Sequence, residues 1–124
     1  MNSGPAVSAG FSRDDRLRKR REFEECYASG VRVSGRHIQL FLLGGESRPR
    51  LGVSVSRRVG NAVTRNRVRR RLREIFRRSR ALFGSSPARV VVNARPTAAT
   101  APFTELSADY RSTLSRALSR RPRP

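Results

Sequence analysis

The sequence predicts one α+β domain, with elements in the order α, β, β, α, β, α. Apolar residues recur at helical spacing in two long segments: Val68, Leu72, Ile75 and Phe76, then Phe103, Leu106, Tyr110, Leu114, Ala117 and Leu118. Two shorter segments, His37–Leu43 and Leu51–Arg57, alternate at the strand period instead. Gly and Pro separate these segments, and 124 residues suffice for one core but not two.

Taken in order, the first helix follows the Asp14-Asp15 pair, whose carboxylates can cap a helix or face its positive end. It runs to Ser29, with Gly30 as the C′ stop. The strand His37–Leu43 sets Ile38, Leu40 and Leu42 on one face, and His37, Gln39, Phe41 and Leu43 on the other. A turn over 44–49 leads to Leu51–Arg57, with Leu51, Val53 and Val55 inward and only Gly52, Ser54 and Ser56 outward. A hairpin between these two strands is the simplest pairing. Asn61 is a good N-cap for the second helix and Gly84 a good C′ residue, although Thr64 at N3 leaves the capping box incomplete. A β-branched strand over 89–93, a loop over 94–101 and the last helix complete the domain, which spans 14–118. The flanks, 1–13 and 119–124, are expected to be disordered, the first being rich in Gly, Ser, Ala and Pro.

Charge narrows the function. Lys and Arg number 28 against 9 Asp and Glu, a formal net charge of +19, and every cation except Lys19 is Arg. Such a surplus strains a compact fold until a polyanion absorbs it. Arg grips phosphate bidentately and stacks on bases, although a GC-rich genome would enrich Arg in the same way. Nine arginines occupy the sixteen positions from Arg65 to Arg80, and Glu74 is the only carboxylate from Ser56 to Arg80. Lacing of this helix by salt bridges is therefore not expected, and a nucleic-acid partner is. A basic membrane helix fits less well, because its apolar stripe is what the domain needs as core.

Other classes fall away. No apolar run approaches the ~18 residues of a membrane span, and the N-terminus lacks the basic and apolar regions of a secretory signal. Cys26 is alone, which rules out an intramolecular disulfide or a cysteine metal cluster and points to the reducing cytoplasm. It reads as a small buried hydrophobe. The only histidine, His37, has no carboxylate at ligand or dyad spacing, so a protein-based metal site or acid–base pair is not expected. A structural or phosphate-contacting role suits it better.

Phe23 and Tyr27 lie at i, i+4 on the first helix, and on a generic helix such a pair is core. Leu17 and Cys26 can supply core contacts elsewhere, however, and Phe41 falls on the strand face away from Ile38, Leu40 and Leu42. Three aromatics beside small residues such as Ser54 and Ser56 would form a stacking platform for unpaired bases.

The stretch GVSVSRRVGNAVTRNRVRRRLREIFR resembles the signature of the bacterial ribonuclease P protein component. Upstream, RLRKRREFEECYASG resembles that family's first helix, and the likeness runs from about Arg16 to Leu118. It implies an α/β sandwich of order α-β-β-β-α-β-α, with a left-handed crossover through the arginine-rich helix. That is one strand more than the residues alone suggest, and 31–43 could hold two short pieces or a strand could form at 88–94. It implies a monomeric protein subunit working with a catalytic RNA that uses Mg²⁺ to remove the 5′ leader of precursor tRNA. Arg57, Arg58, Asn61, Arg65, Asn66, Arg67, Arg69, Arg70 and Arg73 would then contact the RNA subunit. Phe23, Tyr27 and Phe41 would hold the leader, with Tyr27 standing where Phe is common. Asn93 and Arg95 receive no role. The rival expectations are a ribosomal or other structural RNA binder, which needs no single-strand channel, and a DNA-compacting protein, which needs a dimer or a charged arm.

Overall fold

The computed structural model describes residues 11–120. Helix α1 (Arg20–Ser29) is followed by β1 (Val31–Ser34), β2 (Ile38–Gly44) and β3 (Arg50–Ser54), then by α2 (Ala62–Arg78), β4 (Ala88–Ala94) and α3 (Phe103–Arg120). The extra strand is β1, the first of two short pieces within 31–43.

The strands form one sheet in the order β1-β2-β4-β3. The expected hairpin between β2 and β3 does not form: β2 pairs antiparallel with β1 and β4, and β3 pairs parallel with β4, to which α2 connects it. The physical reason lies in the faces. Both central strands are covered on two sides and read as near-continuous apolar runs, Ile38-Gln-Leu-Phe-Leu and Val90-Val-Val. The strand carrying Gly52 and Ser54 suits an edge. Along that edge Leu17 N–H donates to Leu51 O at 2.9 Å, so the incoming chain covers part of the open ladder.

Helices α2 and α3 cover one face of the sheet, α2 over β3 and α3 over β1 and β2. Ile38, Leu40, Leu42, Leu51, Val90 and Val92 meet Val68, Leu72, Phe76, Leu106, Tyr110 and Leu114 there, as the apolar spacing implied. Helix α1 crosses the opposite face over β2 and β4, burying Leu17, Cys26, Phe41 and Val91 with Phe23 against them. Cys26 is fully buried, and burial pushes its thiol pKa up, which suits an inert hydrophobe.

Several boundaries differ from the sequence expectation. Asp14-Asp15 does not start α1: the pair closes a 3₁₀ turn at Arg13–Asp15, and α1 begins after Lys19. Asp15 is instead buried, taking Arg80 Nη2 at 2.6 Å and Arg48 Nη2 at 3.2 Å. Gly30 follows α1 with φ −77°, so no left-handed turn is involved. Helix α2 stops at Arg78, and a 3₁₀ turn over Arg80–Phe83 continues to Gly84, whose φ is +61°. At the chain ends, Phe11 packs edge-on against Phe76 at 5.7 Å and α3 extends to Arg120. Ordered packing thus reaches past 14–118 on both sides; the rest of the expected disordered flanks, 1–10 and 121–124, lie outside the described residues.

Candidate nucleic-acid interface

The basic surface begins where β3 ends. Arg57 and Arg58 occupy an exposed 3₁₀ turn, Arg57–Val59, and Gly60 turns the chain into α2 at φ 155°. A Cβ at Gly60 would lie 2.9 Å from Thr64 Cγ2, so the approach requires glycine. Asn61 caps α2 as expected, its Oδ1 accepting from Thr64 N–H at 2.9 Å. It is therefore partly committed to the helix end, and only its remaining polar atoms can serve a ligand.

Along α2 the predicted residues divide by their local partners. Arg65 Nε donates to Gly60 O at 3.1 Å and Arg67 Nη2 to Ala99 O at 3.1 Å, which ties the helix to its flanking turns. Asn66 Oδ1 accepts from Arg69 Nη1 at 2.9 Å. Arg70 is exposed and has no such tie. Arg71, never among the predicted contacts, donates to Ala101 O at 3.2 Å.

Salt-bridge lacing is not wholly absent from α2. Glu74 takes both Arg77 and Arg78, the latter at 2.7 Å. One carboxylate can serve only the end of the helix. Among the described residues, no carboxylate pairs with Arg57, Arg58, Arg65, Arg67, Arg69, Arg70 or Arg73. Burial lowers the pKa of Arg73, and the neighbouring cations Arg16 and Arg69 lower it further. Cations crowded in this way gain most from an external phosphate.

The aromatic residues lie on the α1 face of the sheet. Phe23 sits on Gly52, where a Cβ would be 2.6 Å from Phe23 Cζ. Tyr27 meets Phe41 edge-to-face with ring centroids 4.8 Å apart. The three are not equally available: Tyr27 is 40% exposed and Phe41 6%. Phe41 belongs to the small core under α1, and Tyr27 is the open ring above it. Cross-strand register sets Ser34, Gln39, Asn93 and Ser54 in one row on this face, beyond the row of Phe41, Val91 and Gly52. The result is a cleft with a polar floor, and the Tyr27 hydroxyl donates to Asn93 Oδ1 at 2.9 Å.

His37 does not join this cleft. It precedes β2, and its ring turns toward α3, with Nδ1 2.8 Å from Thr97 Oγ1 and Nε2 2.5 Å from Glu105 Oε2. It clamps the Pro96–Ala99 turn to α3, a structural role. A separate groove of about 640 Å³ at the Arg89 end of β4 is lined by Arg21, Glu22, Glu25, Arg48, Arg50 and Arg89. Its charges are largely matched, with Arg50–Glu22 at 2.8 Å and Arg89–Glu25 at 2.7 Å.

The sequence and the fold both have counterparts among known proteins. The sequence model for ribonuclease P matches residues 11–118. The chain belongs to the ribonuclease P protein family. The ribonuclease P protein component of Acidothermus cellulolyticus is 41% identical over 104 residues, covering 82% of this chain and 86% of that protein. That of Kocuria rhizophila is 42% identical over 108 residues, covering 85% and 93%. Among solved structures, the Staphylococcus aureus ribonuclease P protein superposes with a TM-score of 0.76 at 28% identity, covering 83% of this chain and 94% of that one. The Thermotoga maritima ribonuclease P protein gives 0.73 at 28% identity, covering 82% and 96%.

As a ribonuclease P protein subunit of bacterial type, the chain belongs to tRNA processing as part of a ribonucleoprotein. No group of three or more His, Cys, Asp or Glu converges among the described residues, and Asp15, Glu22, Glu25 and Glu74 are engaged by arginines. No described helix is long and apolar enough to cross a membrane. Sequence reasoning missed Asn93, Gln39 and Ser34 as cleft residues. Their place depends on strand register, and the only local signal was the hydroxyl that Tyr27 adds.

Proposed function

We propose that this ribonuclease P protein binds its catalytic RNA through the surface from Arg57 to Arg73 and holds the single-stranded 5′ leader of precursor tRNA in the cleft beside α1. Arg57, Arg58, Arg65, Arg67, Arg69, Arg70 and Arg73, with Asn61 and Asn66 among them, contact the RNA subunit. The observation that carries this is the run of arginines without a carboxylate partner. A phosphate backbone supplies the missing charge, and the fold presents the arginines along one turn and one helix.

In the cleft, Tyr27 supplies the stacking surface, while Phe23 and Phe41 shape the floor beneath it. Stacking suits unpaired nucleotides, which is what a leader offers and a folded rRNA site does not. The RNA performs the Mg²⁺-dependent hydrolysis. The protein supplies charge neutralisation and substrate grip.

The test is reconstitution. Added to a bacterial ribonuclease P RNA at low Mg²⁺, the protein should restore leader cleavage. It should also raise affinity for leader-bearing tRNA over mature tRNA. RNA binding without restored cleavage would favour a structural RNA binder instead.

A further inference from the structure

The polar row under the cleft, Ser54, Asn93, Gln39 and Ser34, crosses the whole sheet from β3 to β1. At the usual strand spacing it spans about 14 Å, which about four nucleotides fill even at the roughly 3.4 Å rise of a stacked strand. A longer single strand must therefore run off one end. Ser54 stands three residues before Arg57, where the surface assigned to the RNA subunit begins. Ser34 lies on the opposite edge strand, and a second group of arginines gathers there. Cross-strand register puts Arg32 on the cleft face beside Phe41. Arg36 sits in the turn between β1 and β2. Arg116 of α3 reaches the same edge, its Nη2 donating to Ser34 O at 3.2 Å. All three are exposed, and none pairs with a carboxylate among the described residues. The acids that meet this turn are committed elsewhere. Asp109 accepts the backbone N–H groups of Arg36 and His37, each at 2.8 Å, and Glu105 is taken by the His37 ring.

We propose that this β1 edge is a second phosphate-binding surface, which holds the part of a long leader lying 5′ of the cleft. The inference rests on the leader occupying the cleft. The scissile end of the leader belongs beside the catalytic RNA, hence at the Ser54 and Arg57 end. Its 5′ continuation leaves over Ser34 and onto Arg32, Arg36 and Arg116. Guanidiniums bind a backbone without regard to base, so this grip depends on leader length and not on leader sequence. The substrates it favours are precursors with long 5′ extensions. A leader confined to the cleft does not reach it.

The experiment uses the reconstituted holoenzyme and precursor tRNAs whose leaders lengthen one nucleotide at a time, titrated over a salt series. The variant carries Arg32→Ala and Arg36→Ala together. Both side chains are exposed and unbonded among the described residues, and alanine keeps the Arg36 N–H that Asp109 holds. Leaders of up to about four nucleotides should bind the variant and the wild type alike. For long leaders the variant's slope of log K against log salt should be shallower by about 1.4, two contacts at roughly 0.7 each for a single strand. Between about 0.1 and about 0.3 M salt the wild type then loses about fivefold more affinity for a long leader than the variant does. Arg32→Lys with Arg36→Lys keeps the charges and should keep the wild-type slope, which a merely structural loss would not restore. An unchanged slope for long leaders overturns the proposal and leaves the cleft assignment standing. An equal loss for short leaders or mature tRNA also overturns it, because these arginines would then contact the RNA subunit. Equal binding of leader-bearing and mature tRNA by the wild type overturns the cleft assignment as well.

Discussion

Replacing Arg57, Arg58 and Arg70 together by alanine tests the assignment of the basic surface most directly. All three are exposed, and none forms an ion pair or side-chain hydrogen bond among the described residues. Their removal should therefore leave stability within about 0.5 kcal/mol per site. What changes is the salt dependence of RNA binding. If the seven arginines from Arg57 to Arg73 that lack a carboxylate partner each neutralise one phosphate, log K against log salt should slope at about −5 to −6, each contact contributing roughly 0.7 to 0.9. Removing three should bring the slope to about −3 to −4. Raising salt from about 0.1 to about 0.3 M would then weaken the wild type several-hundred-fold and the variant about thirtyfold. The assay is equilibrium titration of the protein onto ribonuclease P RNA over a salt series at fixed low Mg²⁺, with circular dichroism confirming the fold. An unchanged slope in the triple variant would refute the assignment, even if overall affinity fell.

The other predictions concern the cleft and the supports of α2. Tyr27→Ala should cost about 1–3 kcal/mol of affinity for leader-bearing tRNA and nothing for mature tRNA. Phe41→Ala should instead lower stability by about 3–5 kcal/mol, read by urea denaturation, because its ring is core under α1; a stable Phe41→Ala protein would contradict that placement. Asp15→Ala leaves the Arg80 guanidinium without its carboxylate and should destabilise by about 2–4 kcal/mol, a melting shift of roughly 10 °C or more. A shift of a degree or two would show that Arg80 simply turns to solvent. Hydrogen bonds from Arg77 and then Arg78 hold the Glu74 carboxyl at about 2, below its ordinary 4.5. Its contribution is therefore present above about 4.5 and lost as pH falls toward 2. The gap in unfolding midpoint between wild type and Glu74→Gln should close across that window, and a gap independent of pH would count against the pairing.

Much of the fold was legible because periodicity is a local property. The stripe Val68, Leu72, Ile75 and Phe76 and the alternation Ile38, Leu40 and Leu42 both meet the main core as read. The N-cap at Asn61 was legible for the same reason, since the bond spans only to Thr64. What failed was long-range or near a margin. Strand β1 has only Val31–Ser34, alternates with a charge, and lies at a sheet edge, where apolar content is not required. Asp15 looked like a cap because its partners, Arg80 and Arg48, are remote in sequence. His37 was read onto the Phe41 face because strand alternation was extended one residue too far.

By itself, the sequence determined the kind of partner and the family. Charge cannot be hidden by folding, and an ordered motif such as Gly-Asn-Ala-Val followed by Arg-Asn-Arg is read without coordinates. Only the tertiary structure decided which strands are neighbours, that β4 separates β2 from β3, and hence which side chains share a floor. Tyr27 and Asn93 are sixty-six residues apart and meet because α1 crosses that sheet. The physical reason is that hydrogen-bond register and the covering of both sheet faces are collective: each strand takes its place from the burial of all the others, which no single segment records.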